Sequence, residues 1–185
     1  SDVNDRLTGT PPRGGVFVCG GRQHGVVYSR RSQMWDTVVD AALIELLAQA
    51  FPRDAARYFA PMRIGDTSAS ADKGAEAILT GIKTATSSAH WDYADGGIPF
   101  VGALSVLLDG RGRAQAIVET IGVETIPFGE VDEARALAYG EGERTLAWWR
   151  RAMGDWYRAS AARHGTTLSD ETPIIWEWIA VARRF

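Results

Sequence analysis

Apolar residues recur every three or four positions from Met34 to Ala50, where Trp35, Val38, Val39, Ala42, Leu43, Leu46 and Leu47 fall on one face. That period is helical, and Pro52 ends the run. A second helical pattern starts at Ser70, a residue type suited to capping, and reaches Leu79. Gly81 stands where a left-handed residue closes a helix. A short third helix is expected over Val131 to Tyr139, behind an acidic start at Glu130, Asp132 and Glu133. A fourth spans Thr145 to His164 and places Leu146, Trp149, Met153, Trp156, Tyr157 and Ser160 on one face.

Elsewhere the pattern reads as strands. Leu104 to Leu108 leads into the turn Asp109-Gly110-Arg111-Gly112, and Ala114 to Ile126 returns as a long strand, so the two form a hairpin. From Pro173 a final strand sets Trp176, Trp178 and Ala180 against Glu177 and Ile179. Asp54 to Tyr58 reads as a further helical turn, and Pro61 to Thr67 as a loop. The fold class is α+β, with one sheet and helices packed outside it. No linker splits residues 34–185. Residues 1–33 differ: Ser1 to Ser32 carries five arginines against two aspartates, with frequent Gly and Pro, and reads as an N-terminal extension. Val16-Phe17-Val18 and Val26-Val27-Tyr28 either pair as a hairpin there or belong to a mobile arm.

Composition narrows the classes. The chain has 185 residues, is 45% hydrophobic and holds 7 Trp, so it has a real core. A net charge of -3 argues against coating duplex nucleic acid by bulk electrostatics and leaves room for a local basic groove. The single cysteine, Cys19, excludes an intrachain disulfide and reads as a small apolar filler. No apolar run approaches a membrane span and the first residues lack a secretion pattern, so a cytoplasmic protein is expected. His24, His90 and His164 are far apart, and no zinc motif is present.

The stretch with chemistry of its own is Gly81-Ile82-Lys83-Thr84-Ala85-Thr86-Ser87-Ser88, a lysine followed by four hydroxyl residues. Such a lysine binds a phosphate, polarises a carbonyl or activates a hydroxyl, unless the run is simply a Thr-rich strand with an exposed lysine. Beside it, Trp91 and Tyr93 lie in a segment read as a flexible loop through Gly97. Aromatics there either stack a base or close a core edge. Glu119 interrupts an apolar strand, so it points to solvent or is held inward by a partner. Glu141 and Glu143 invite a metal reading, although acids before a helix also have an electrostatic reason.

Gly-x-Lys-Thr-x-Thr after a short helix resembles the signature of the ASCH family, whose barrel is shared with PUA-type RNA-binding domains. Further pieces agree in order: Pro99-Phe100-Val101-Gly102 with Leu104 to Asp109, Val118-Glu119-Thr120, Pro127-Phe128-Gly129-Glu130-Val131, Gly140 to Leu146, and Trp149-Arg150. The resemblance covers Met34 to Phe185 and implies a small PUA-like mixed β-barrel with helices around it. It also implies Lys83, Thr86 and Glu119 as catalytic residues, and Thr84, Ser88, Trp91, Tyr93, Arg144 and Thr145 as substrate contacts.

Three activities follow from that resemblance. One is a ribonuclease on single-stranded RNA, aided by a divalent metal such as magnesium or manganese. Another is an amidohydrolase that removes the acyl group from N4-acetylcytidine. The third is a non-catalytic RNA-binding module. The partner is accordingly single-stranded RNA or a modified nucleoside. The chain departs from its relatives at Ala103, Gly140, Thr145 and Met153, where an acid, an acid, a serine and a histidine are usual. There is also a geometric condition: residues three apart on a flat strand face opposite ways, so Lys83 and Thr86 share a pocket only across a bend or bulge.

Overall fold

The computed structural model describes residues 33–93 and 97–185, the side chains of 33–40 and of Ala55 excepted. The extension expected over 1–33, with its hairpin or arm, lies outside the described residues apart from Gln33, as do Ala94, Asp95 and Gly96 of the loop beside the key stretch.

Four α-helices and five strands are found among the described residues. They are α1 (Gln33–Ala50), β1 (Tyr58–Met62), α2 (Ser68–Leu79), β2 (Ala85–Ala89), β3 (Leu104–Leu108), β4 (Ala114–Pro127), α3 (Glu133–Tyr139), α4 (Leu146–Arg163) and β5 (Pro173–Arg184). The strands form one mixed sheet in the order β1-β3-β4-β5-β2, in which only β1 and β3 run parallel. The α+β expectation holds. Barrel closure does not: β1 and β2 end the sheet and are not neighbours in it. Each is five residues long, against fourteen for β4 and twelve for β5. Short edges of this kind let a sheet stop without further pairing.

Helices cover both faces. On one, α2 sets Ala75 and Ile78 against Met62, Leu107, Val118 and Ile179. On the other, Leu43 and Leu47 of α1 pack on Leu104, Val106 and Ile117, while Trp149, Met153 and Tyr157 of α4 pack on Ala85, Ala89, Ile174 and Trp176. These two patches share a face because Ile117 alternates with Val118, and Trp176 is out of phase with Ile179. Rings of Phe128, Tyr139, Trp149 and Trp176 lie 5.2 to 6.1 Å apart there, at tilted or edge-on angles that suit aromatic quadrupoles. No helix among the described residues is long and apolar enough to cross a membrane.

Two elements differ from the pattern-based reading. Tyr58–Met62, expected as a helix end and loop, is β1. Its partner β3 is over forty residues away and Pro61 weakens the local strand pattern, yet proline is tolerated on an edge. Ser70 is not the cap of α2. Thr67 is extended at φ -112° and accepts from the Ser70 N–H, while Ser70 Oγ accepts from the Thr67 N–H at 2.9 Å, completing a capping box.

Candidate active site

The chain leaves α2 through a tight corner. Thr80 is its last capping residue, Gly81 takes φ +74°, and the Lys83 N–H returns to the Ala77 carbonyl at 2.9 Å. Thr84 is then bound through its N–H to Ala138 of α3 and through its carbonyl to the Ile179 N–H. The Lys83 side chain is wholly buried. Its amine donates to the Tyr139 carbonyl at 2.9 Å, pairs with Glu141 Oε1 at 2.7 Å and sits 3.5 Å from the centre of the Tyr139 ring. Burial pulls the amine's pKa down, and Glu141 pushes it back up. The lysine of the motif is thus engaged by α3 and the segment after it.

Gly140 explains one departure from the family. It closes α3 at φ +72°, and a Cβ there would stand 2.5 Å from the Ile82 carbonyl and the Lys83 Cα. An acid does not fit. Gly140→Ala is expected to cost about 1–3 kcal/mol from the left-handed backbone alone, more with the overlap, read as a lower midpoint in thermal or urea unfolding.

Thr86 lies on the other side of the sheet. Within β2 it stands opposite Glu177 of β5, and directly opposed residues share a face. Glu177 is two positions from Ile179, so both belong to the α2 face, whereas the Tyr139 ring that holds Lys83 packs against Trp176 on the opposite one. No bulge interrupts Ala85 to Ala89. The structure therefore does not bring Lys83 and Thr86 into one pocket.

Thr86 instead belongs to a group of hydroxyls around a buried acid. Thr120 donates its hydroxyl to Glu177 Oε2 at 3.2 Å. The Tyr93 phenol lies within the field of Glu177, and the Ser88 hydroxyl opposes the rise of its pKa. Thr86, Ser88, Thr120 and Glu177 are all buried, and Thr86 Oγ1 has no hydrogen-bond partner among the described residues. Burial lifts the Glu177 carboxyl to about 7, with Thr120 opposing the rise. Burial first, and the glutamate next, push the Tyr93 phenol up, so it stays protonated and able to donate. Thr86 Oγ1 makes no hydrogen bond to Glu177; the two are buried cross-strand neighbours on one face of the sheet.

The remaining expected residues fall elsewhere. Glu119 alternates with Val118 and Thr120 and points to the opposite face, where Arg57 Nη2 holds Oε1; its backbone stands opposite Leu104 and Ala180. The acid bound to Lys83 is Glu141, not Glu119. Trp91 is buried in the α4 packing, its indole N–H donating to Ser160 Oγ at 3.1 Å. Thr145 caps α4, accepting from the Trp148 N–H at 3.2 Å. Arg144 is an exposed turn residue at φ +58°. Thr84 is exposed, with a long 3.4 Å bond to the Ala138 carbonyl. The residue the sequence reading missed is Glu177. Its signal was the one that singled out Glu119, a carboxylate inside an apolar strand.

A groove of about 560 Å³ is lined by residues that include Gly81, Lys83, Thr84, Ile121, Trp178 and Ile179; Thr86 and Glu177 do not line it. Ile179 lies one pleat from Glu177, about 7 Å along the strand. The acids that invited a metal are separately engaged, Glu141 with Lys83 and Glu143 with Arg151. Among the described residues no three His, Cys, Asp or Glu side chains group to hold an ion. That donor set does not fit a divalent metal.

Comparison with known proteins agrees with this architecture. No curated protein matches the chain. The structure of an ASCH domain from Lactobacillus crispatus JV V101 is similar at TM-score 0.66 and 22% identity, covering 85% of this chain and 99% of that one. Protein EF3133 from Enterococcus faecalis V583 is similar at TM-score 0.65 and 24% identity, covering 78% and 90%. Both likenesses concern the fold. The family model of the ASCH domain matches residues 60–183, from β1 almost to the end of β5, and the chain belongs to the ASCH domain family.

Proposed function

We propose that this ASCH domain is an amidohydrolase that removes the acyl group from an N4-acylated cytosine compound, with Thr86 as nucleophile and Glu177 as general base. The observation that carries this is the buried, unpartnered Thr86 hydroxyl opposite a carboxyl lifted to about 7. Ionised Glu177 takes the hydroxyl proton as Thr86 Oγ bonds to the acyl carbon. The C–N bond then breaks, and the proton passes to the departing N4 amine. Water next attacks the Thr86 ester, Glu177 again taking a proton, and the acid leaves as the hydroxyl is restored. Tyr93, held protonated, is a donor for the developing oxyanion.

Cleavage of RNA fits less well. A scissile phosphate needs a cation, and the Lys83 amine is committed to Glu141 on the opposite face. Lys83→Met is accordingly expected to keep kcat within about threefold of wild type while stability falls by about 1–3 kcal/mol, since Glu141 remains partly hydrated when its partner goes. Parallel assays test the reading: absorbance change on N4-acetylcytidine and gel mobility of single-stranded RNA. Turnover of the nucleoside with intact RNA supports it. RNA cleavage, or RNA binding without any product, overturns it.

A further inference from the structure

Thr120 is the hydroxyl that bonds the acid, and something must hold it at an irregular point. The β4–β5 register shifts between Thr120 and Gly122, so the ladder with β5 is broken beside it. On its other side Thr120 is gripped by the segment entering β3. Gly102 N–H donates to the Thr120 carbonyl at 2.7 Å, and Thr120 N–H donates to the Ala103 carbonyl at 2.9 Å. That segment is itself fastened by one side chain. Arg57, just ahead of β1, donates through Nε to the Gly102 carbonyl at 2.6 Å and through Nη2 to Glu119 Oε1. Gly102 sits at φ +92°, and a Cβ there would lie 3.3 Å from Arg57 Nη2, so glycine lets the guanidinium close on the backbone.

We infer that Arg57 and Glu119 are positioning residues for the Thr86–Glu177 site: together they clamp Gly102 and β4 so that the Thr120 hydroxyl stays on Glu177. This rests on the reading that Glu177 acts as the base. It assigns Glu119 a task other than touching substrate, and it gives the planar guanidinium, steadied by Asp54 at 3.3 Å, the Gly102 carbonyl and the Glu119 carboxylate at once, which a lysine ammonium does not reproduce in the same fork. The same clamp fixes the base of the segment carrying Ile98, Phe100 and Val101, whose side chains are exposed, with the Phe100 ring edge-on to Phe59 at 6.5 Å. When the clamp opens, Thr120 leaves the carboxylate and the acid loses the bond that favours its charged form.

The test reads Glu177 itself, apart from any substrate. Carboxyl carbon shifts of Glu177 are followed by NMR against pH in the full chain as wild type, Arg57→Lys, Glu119→Gln and Thr120→Val. Thr120→Val sets the scale by deleting the bond directly. The inference expects the midpoint to move upward by about half a unit or more in Arg57→Lys and Glu119→Gln, toward the Thr120→Val value. On acylcytidine the acid limb of the kcat/KM profile moves with it. A midpoint that stays at the wild-type value in the folded Glu119→Gln variant, while Thr120→Val shifts it, overturns the inference. A shifted midpoint in a protein that turns over no acylcytidine upholds the clamp and sinks only the catalytic reading.

Discussion

Glu177→Gln is expected to lower kcat on an acylcytidine by roughly 10²–10⁴-fold, the range lost with a positioned general base. The same change is expected to stabilise the protein at alkaline pH. The folded carboxyl binds its proton up to about pH 7, the unfolded one only up to its ordinary value of 4.5. Between these values the folded state holds more protons, so this group's contribution to stability falls as pH rises through the window and is flat above it. The difference amounts to about 3 kcal/mol, and glutamine, which does not ionise, avoids it. Urea unfolding at pH 5 and pH 8 checks this: the gap between variant and wild type should widen toward pH 8. The wild-type rate should rise through about pH 7 as the base ionises. A variant that is inactive and also less stable at pH 8 would mark Glu177 as a structural acid.

Thr86→Val is the second large effect. It keeps the shape of the side chain and deletes the hydroxyl, so turnover is expected to fall to the level of the reaction without a nucleophile, at least about 10³-fold. Stability should move the other way. The buried Thr86 hydroxyl lacks a partner, and removing an unsatisfied buried polar group is worth about 1–2 kcal/mol. Thr86→Ser, which retains the oxygen, should recover part of the rate. A gain in stability with loss of function is the expected mark of a group held in an unfavourable state for its chemistry. Calorimetry and steady-state rates on the same three proteins give the comparison.

How far the chain could be read in advance follows from which interactions are local. Helices α2 to α4 and the β3–β4 hairpin were legible because their signals lie within a few residues: Gly81 after α2, Asp132 before α3, the Asp109-Gly110 turn. The strand β1 was not, since its ladder with β3 is remote and parallel. The site divided on the same principle. Thr86 stands across the strand pair from the acid, and the Tyr93 phenol lies within its field. Lys83 was separated from them by strand alternation, a condition visible in the spacing itself. The identity of the acid was not visible, because Glu119 and Glu177 carry the same pattern and only the sheet order decides which faces Thr86. Arg57 pairs locally with Asp54, but the two groups of the clamp, Gly102 and Glu119, lie more than forty residues away and left no local sign.

The central claim is that the Thr86 hydroxyl, and not the Lys83 amine, takes up the acyl group. Rapid quenching of the enzyme with N4-acetylcytidine, followed by peptide mass analysis, tests it most directly. An acetyl group on the peptide that carries Thr86, located at that residue and missing from Thr86→Val, is the result predicted. An acetyl group on Lys83, or full turnover by Thr86→Val, would contradict it.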